Sequence, residues 1–175
     1  MLTLFLGVAL PPVLALAQQP AGRVTWLDGK ATITRAGAPS PASLNYMDPV
    51  LSGDRITLGA ESHVKVLFDD RALLTAQPFS ELAITEEPNR TLTTLNIGKV
   101  MLEVREAELK PGEVYEIRTP LAVVQMRGAL VAVGVGAGVT HIDCVSGEVF
   151  VSVEDKPFVP CLSGRGFTIK LGSPP

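Results

Sequence analysis

Two histidines, two cysteines and eighteen carboxylates are the groups from which this 175-residue chain would have to assemble any chemistry. His63 and His141 stand in separate strand-like patterns, without the clustered His, Cys and carboxylate ligands that a zinc site needs. The adjacent carboxylates Asp69-Asp70 and Glu86-Glu87 would point to opposite faces of an extended chain, so they could neither share a proton nor flank a substrate, and they read as solvated turns. Gly98-Lys99-Val100 lacks the leading glycine and the following Ser or Thr of a phosphate loop. The run Gly134, Gly136, Gly138 has a period of two, which suits close sheet packing or a bend better than a nucleotide cradle. There is no Gly-x-Ser-x-Gly elbow. The expectation is a protein without catalytic residues, cofactor or metal. The competing enzyme reading is a small envelope-glycan hydrolase, and it would need carboxylates from separate strands, such as Glu103 and Glu116, at glycosidase separation.

The cysteines fit a structural role better than a reactive one. Cys144-Val145-Ser146-Gly147 and Cys161-Leu162-Ser163-Gly164 are alike, which places them at equivalent points of successive strand-turn units. Neither has the nearby base that would lower a thiol pKa. In an oxidising compartment they are a disulfide candidate, closing a loop of about 17 residues worth about 3 kcal/mol. Arg127 lies between apolar runs, so its guanidinium must reach solvent at a strand end or be paired, with Asp54 and Glu148 as candidate partners. Its expected role is to hold a turn.

The elements that position these groups read as strands. From Arg23 onward apolar and polar residues alternate with a period of two. Val64, Val66 and Phe68 show it, as do Val100, Leu102 and Val104, then Val131, Val133 and Val135, and then Val149, Val151 and Val153. Turn signals interrupt them at Asp28-Gly29, Ser52-Gly53-Asp54, Asp69-Asp70, Glu87-Pro88-Asn89, Lys110-Pro111-Gly112, Ser146-Gly147 and Ser163-Gly164. Thr119-Pro120 marks a strand end, because proline has no ladder donor. Ala36 to Pro49, with three prolines, reads as a surface loop with room for one helical turn. The fold class is all-β: a single-domain β-roll or sandwich, or a short β-solenoid, of many short strands, with its core over about residues 22–171.

Residues 1–17 (MLTLFLGVALPPVLALA) carry no charge and end in Ala15-Leu16-Ala17. They read as a signal peptide too short to span a bilayer core of about 30 Å, followed by a mature domain over 18–175 in the periplasm or secreted. No basic residue precedes Arg23, so the natural start can lie upstream. No Cys follows the apolar run to carry a lipid anchor, and no later segment is apolar enough for a stable membrane span. A net charge of -3 and a pI near 5.4 supply no basic field for nucleic acid.

The order of motifs is more specific than any one of them. Gly22-Arg23-Val24 is followed by Asp28-Gly29-Lys30, Leu51-Ser52-Gly53-Asp54-Arg55-Ile56, Phe68-Asp69-Asp70, Gly98-Lys99-Val100, Thr119-Pro120-Leu121-Ala122, Arg127-Gly128-Ala129 and Val145-Ser146-Gly147-Glu148-Val149. This succession resembles the FecR domain family of extracytoplasmic β-rich modules. Two departures stand out: Asp69-Asp70-Arg71 where the family has an Asp-Gly turn, and Ala129 where a Thr is usual. The resemblance implies structural roles for Gly53, Asp54, Thr119, Pro120, Arg127, Gly128 and Gly147. It also implies an exported, non-enzymatic binding or scaffolding module engaging an envelope protein or a cell-wall polymer. The strand face with Lys99, Glu103 and Arg105 is a candidate contact surface. The family's anti-sigma members carry a sigma-binding segment and a membrane helix ahead of this domain, so a longer N-terminus would turn the expectation toward a regulator of cell-surface signalling.

Overall fold

A computed structural model describes residues 19–154 and 156–172; the signal-peptide segment falls outside them. The described residues are all-β, with fourteen strands in one hydrogen-bonded open sheet and, among them, a single 3-10 turn at Glu106–Glu108. Among the described residues no helix is long and apolar enough to cross a membrane.

Three strands of 15 residues organise the sheet: β9 (Arg90–Val104), β11 (Ala122–Gly136) and β12 (Val139–Val153). Each changes its buried parity once. In β9 the inward residues are Thr91, Thr93 and Leu95, then Val100, Leu102 and Val104; in β11 they are Val124 and Met126, then Ala129, Val131 and Val133; in β12 they are Ile142 and Cys144, then Val149 and Val151. A strand that kept strict alternation would turn its apolar residues outward halfway along, so each must gain a residue where it bends. That residue falls around a glycine with positive φ, at Gly98 (+97°), Gly128 (+54°) and Gly147 (+83°). The three strands therefore cross one common corner and run through two layers.

The shorter strands cross the same corner in pieces. β1 (Pro20–Asp28) continues into β2 (Ala31–Thr34), β5 (Arg55–Leu58) into β6 (His63–Phe68), β7 (Ala72–Ala76) into β8 (Glu81–Glu87), and β13 (Val159–Cys161) into β14 (Arg165–Lys170). With β3 (Ala42–Ser43), β4 (Pro49–Leu51) and β10 (Val114–Arg118) added, the first layer runs β4-β1-β6-β7-β9-β11-β12-β14. The second runs β3-β2-β5-β8-β9-β10-β11-β12-β13. Only β10 breaks the match: it wedges between β9 and β11 in the second layer and pairs parallel to β9. The result is a β-roll, a sheet folded over along a line of turns, with one core cluster between the layers. Each fully buried Leu or Ile of that core, such as Leu102 or Ile117, contributes about 1.5–3 kcal/mol.

Two buried serines hold the corner. The Ser62 hydroxyl accepts the Lys30 N–H (2.9 Å) and donates to the Lys30 carbonyl (2.8 Å). Ser80 does the same at Lys99, at 3.0 and 3.1 Å. Both restore the main-chain bonds that a bent strand loses, at positions where water is excluded. The Ala36 to Pro49 loop departs from expectation. It holds no helical turn; Ala42–Ser43 instead pair with β2, and Leu44 is buried. An apolar anchor and a strand edge were available, and the loop took both.

Candidate binding face

On the outer face of the second layer, pairing lines up Thr85, Leu92, Glu116, Gln125, Phe150 and Pro160 as successive cross-strand neighbours. A second row sets Ala83, Thr94, Arg118, Val123 and Ser152 side by side. Glu116 lies between the core residues Tyr115 and Ile117 and so points outward, yet it is only 1% exposed because its neighbours close over it. Arg118 donates to Oε1 at 2.8 Å, while Arg90 (3.3 Å) and Gln125 (3.1 Å) donate to Oε2. A buried carboxylate must be paired to be tolerated, and here it is paired from both sides. Arg90 also holds Glu87 at 2.5 Å. That bond first, and Glu116 second, raise the Arg90 pKa further above its ordinary value.

These residues form the floor of a groove of about 260 Å³, walled by Lys156 and Phe158 from the loop between β12 and β13. The Ser152 hydroxyl anchors that wall by donating to the Lys156 carbonyl at 2.5 Å. Arg90, Arg118 and Lys156 are matched by Glu87, Glu116 and Glu154, so the groove presents oriented donors and an aromatic wall without a net field. That chemistry suits a polar, partly apolar partner surface more than a polyanion.

A second ionic cluster sits where the turn from β6 to β7 meets the start of β10. Arg71 pairs with Glu113 and, at 2.7 Å, with Asp69. Burial alone would lower Arg71, but Tyr115, Glu113 and Asp69 together raise it. Burial pushes the Tyr115 phenol up to about 12, and its buried hydroxyl lacks a partner in hydrogen-bond geometry. Glu86 is exposed at its rim and accepts a bond from the Thr91 hydroxyl at 2.9 Å, yet partial burial of its carboxyl still raises its pKa.

The motif residues lie at turns and at the corner. Asp54 is 1% exposed and accepts the Leu51 N–H (2.7 Å) and the Arg35 guanidinium (2.5 Å) across the turn that Gly53 makes. Arg35, not Arg127, is its partner, which corrects the expected pairing. Arg127 is half-buried opposite Glu148 in the β11–β12 ladder, and no ion pair joins the two among the described residues. Thr119 closes the Thr119-Pro120-Leu121-Ala122 turn, its hydroxyl accepting the Ala122 N–H (2.9 Å) and donating to the Ala122 carbonyl (3.0 Å). Gly128 and Gly147 nest against each other at the corner.

Cys144 and Cys161 form a disulfide. Each stands three residues before a corner glycine, Gly147 or Gly164, both with positive φ. Glu103 and Glu116 are not brought together. Glu103 faces out of the first layer between Leu73 and Leu130, Glu116 faces out of the second, and the core separates them. Lys99, Glu103 and Arg105 are exposed on the first layer. The clamp on Glu116 was missed from the sequence; its one local signal is that Glu116 and Arg118 are two apart in a strand and so share a face, whereas Arg90 and Gln125 arrive only through strand register.

The fold and the site together are a two-layer β-roll with a polar groove on one sheet face. The profile of the family described as FecR protein matches residues 54–150, more than half of the chain, and the chain belongs to the FecR family. No curated protein matches it. Two crystal structures of a candidate anti-sigma factor from Parabacteroides distasonis ATCC 8503, at 1.65 and 2.50 Å, share the fold. Both have a TM-score of 0.58, are 17% and 16% identical, and match 66% of this chain and 54% of theirs. The chain thus corresponds to about half the length of that protein.

Proposed function

We propose that this protein is an exported, non-enzymatic binding module of the bacterial envelope, and that its partner is an envelope protein seated on the outer face of the second layer. The observation that carries this is the Glu116 clamp. Burying a carboxylate on an outward sheet face costs several kcal/mol of desolvation that an apolar residue would avoid. What the clamp provides is a fixed array of guanidinium and carboxamide donors on a rigid strand floor, as a recognition surface needs. Membership of the FecR family supports a place in cell-surface signalling, and the disulfide fits an oxidising, extracytoplasmic location.

The test places a photo-crosslinking residue at position 158, on the groove wall, or at position 101, on the first layer, in intact cells. The expected result is a discrete protein adduct from position 158 that Lys156→Glu, an exposed charge reversal on the groove wall, abolishes while the melting temperature stays near wild type. Adducts from position 101 alone, or an adduct indifferent to Lys156→Glu, would overturn the assignment.

A further inference from the structure

The four outer strands of the roll are not alike. β3 and β13 are two and three residues long, β4 is three, and each carries or abuts a proline: Pro41, Pro160 and Pro49. Short, proline-bearing edges resist pairing with other chains. β14 is different. It runs six residues, Arg165–Lys170, without proline, and it pairs in unbroken register with β12 and, among the described residues, with no other strand. Phe167 and Ile169 face the core side but stay only half covered. At its two ends Leu162 and Leu171 are 66% and 75% exposed. The open end of the roll is thus both apolar and ready to pair.

Which main-chain groups are free follows from the ladder. The Leu171 N–H donates to the Gly138 carbonyl at 2.8 Å, so by alternation Ile169 and Phe167 spend their main-chain bonds on β12. Gly166, Thr168 and Lys170 turn theirs to the free edge. These three are symmetric about Thr168. We propose that the β14 edge is an isologous dimer interface in which a second copy of this chain adds its own β14 antiparallel, about a twofold axis at Thr168.

In that register Thr168 lies opposite Thr168 and Gly166 opposite Lys170, exchanging about six main-chain bonds. Phe167 lies opposite Ile169 on the core side, so each copy covers the other's half-exposed pair. No like charges meet, since each Lys170 faces a glycine. The alternatives with odd offsets would pair inward with outward residues and are excluded by the pleat. The disulfide keeps this edge in place, because Cys161 begins the turn into β14 and Cys144 lies on its ladder partner.

Sedimentation analysis of the intact protein over a wide concentration range tests this, together with two variants. Thr168→Pro removes the central free donor without taking a bond from β12. It should leave monomer at concentrations where the wild type is dimeric, with an unchanged far-UV spectrum. Thr168→Cys should cross-link to a dimer of twice the protomer mass on mild oxidation, since facing residues of such a pair sit about 5.5 Å apart. Thr57→Cys, on the outer face of the second layer, should not. A wild type that stays monomeric throughout, a dimer that survives Thr168→Pro, or a Thr168→Cys protein that does not cross-link would overturn the proposal.

Discussion

Gly147 of β12 packs its α-carbon against the carbonyl of Gly128 on β11, so closely that a Cβ at Gly147 would overlap that oxygen and the Ala129 α-carbon at 2.6 Å. The two longest-paired strands of the roll turn the corner nested in one another. Positive φ at Gly147 already disfavours any L side chain, and the overlap adds to it.

Gly147→Ala is therefore expected to cost about 2–5 kcal/mol, the sum of a strained φ and an overpacked contact. Gly134→Ala, on β11 with open space at its Cβ position and no positive φ, should change stability by less than about 1 kcal/mol and in the favourable direction. Urea unfolding of the two variants checks the contrast; equal effects would mean that the corner is not tightly nested.

Opening the Cys144–Cys161 disulfide, by reduction or by paired alanines, should remove about 3 kcal/mol, a fall of about 6–12 °C in Tm for a domain of this size. The bridge joins the β13–β14 unit to β12, so the loss should appear first as exchange of the β14 amides with solvent. Hydrogen exchange followed by mass spectrometry reads this out directly.

Asp54→Ala strips the part-buried Leu51 N–H of its acceptor and leaves the Arg35 guanidinium only the Pro49 carbonyl; it should cost about 2–4 kcal/mol. Arg127→Ala breaks no ion pair among the described residues and should cost less than about 1 kcal/mol. Chemical denaturation midpoints of the two variants decide which residue holds the structure; the reverse ranking would restore Arg127 as the turn's anchor.

Glu86 gives a pH dependence with a definite sign. Its folded pKa lies above the unfolded one because burial penalises the charged form. Its contribution to stability is thus complete below the ordinary carboxylate pKa and is lost as pH rises through the raised value. Glu86→Gln keeps an acceptor for Thr91 and removes the charge. It should melt higher than wild type at neutral pH, with the gap closing in acid. Calorimetry across that range would show parallel curves if Glu86 were fully solvated.

Alternation and turn residues were enough to read an all-β fold and most of its strands, with roll, sandwich and solenoid left open, because a period of two encodes which face of a strand is apolar wherever the strand lies. The like surroundings of Cys144 and Cys161 pointed to a bridge for the same local reason: each precedes a Ser-Gly turn by the same spacing. Register is another matter. Arg35 reaches Asp54 across 19 residues and Arg90 reaches Glu116 across 26. Pairings of that range depend on which strands become neighbours, and β10 enters parallel between β9 and β11 with no local mark of it. The parity switches at Gly98, Gly128 and Gly147 were likewise legible only as glycines. That they fall on one line, and so fold a single sheet into two layers, is a property of the strands packed together, since only a shared core makes each bend cheaper than a straight strand.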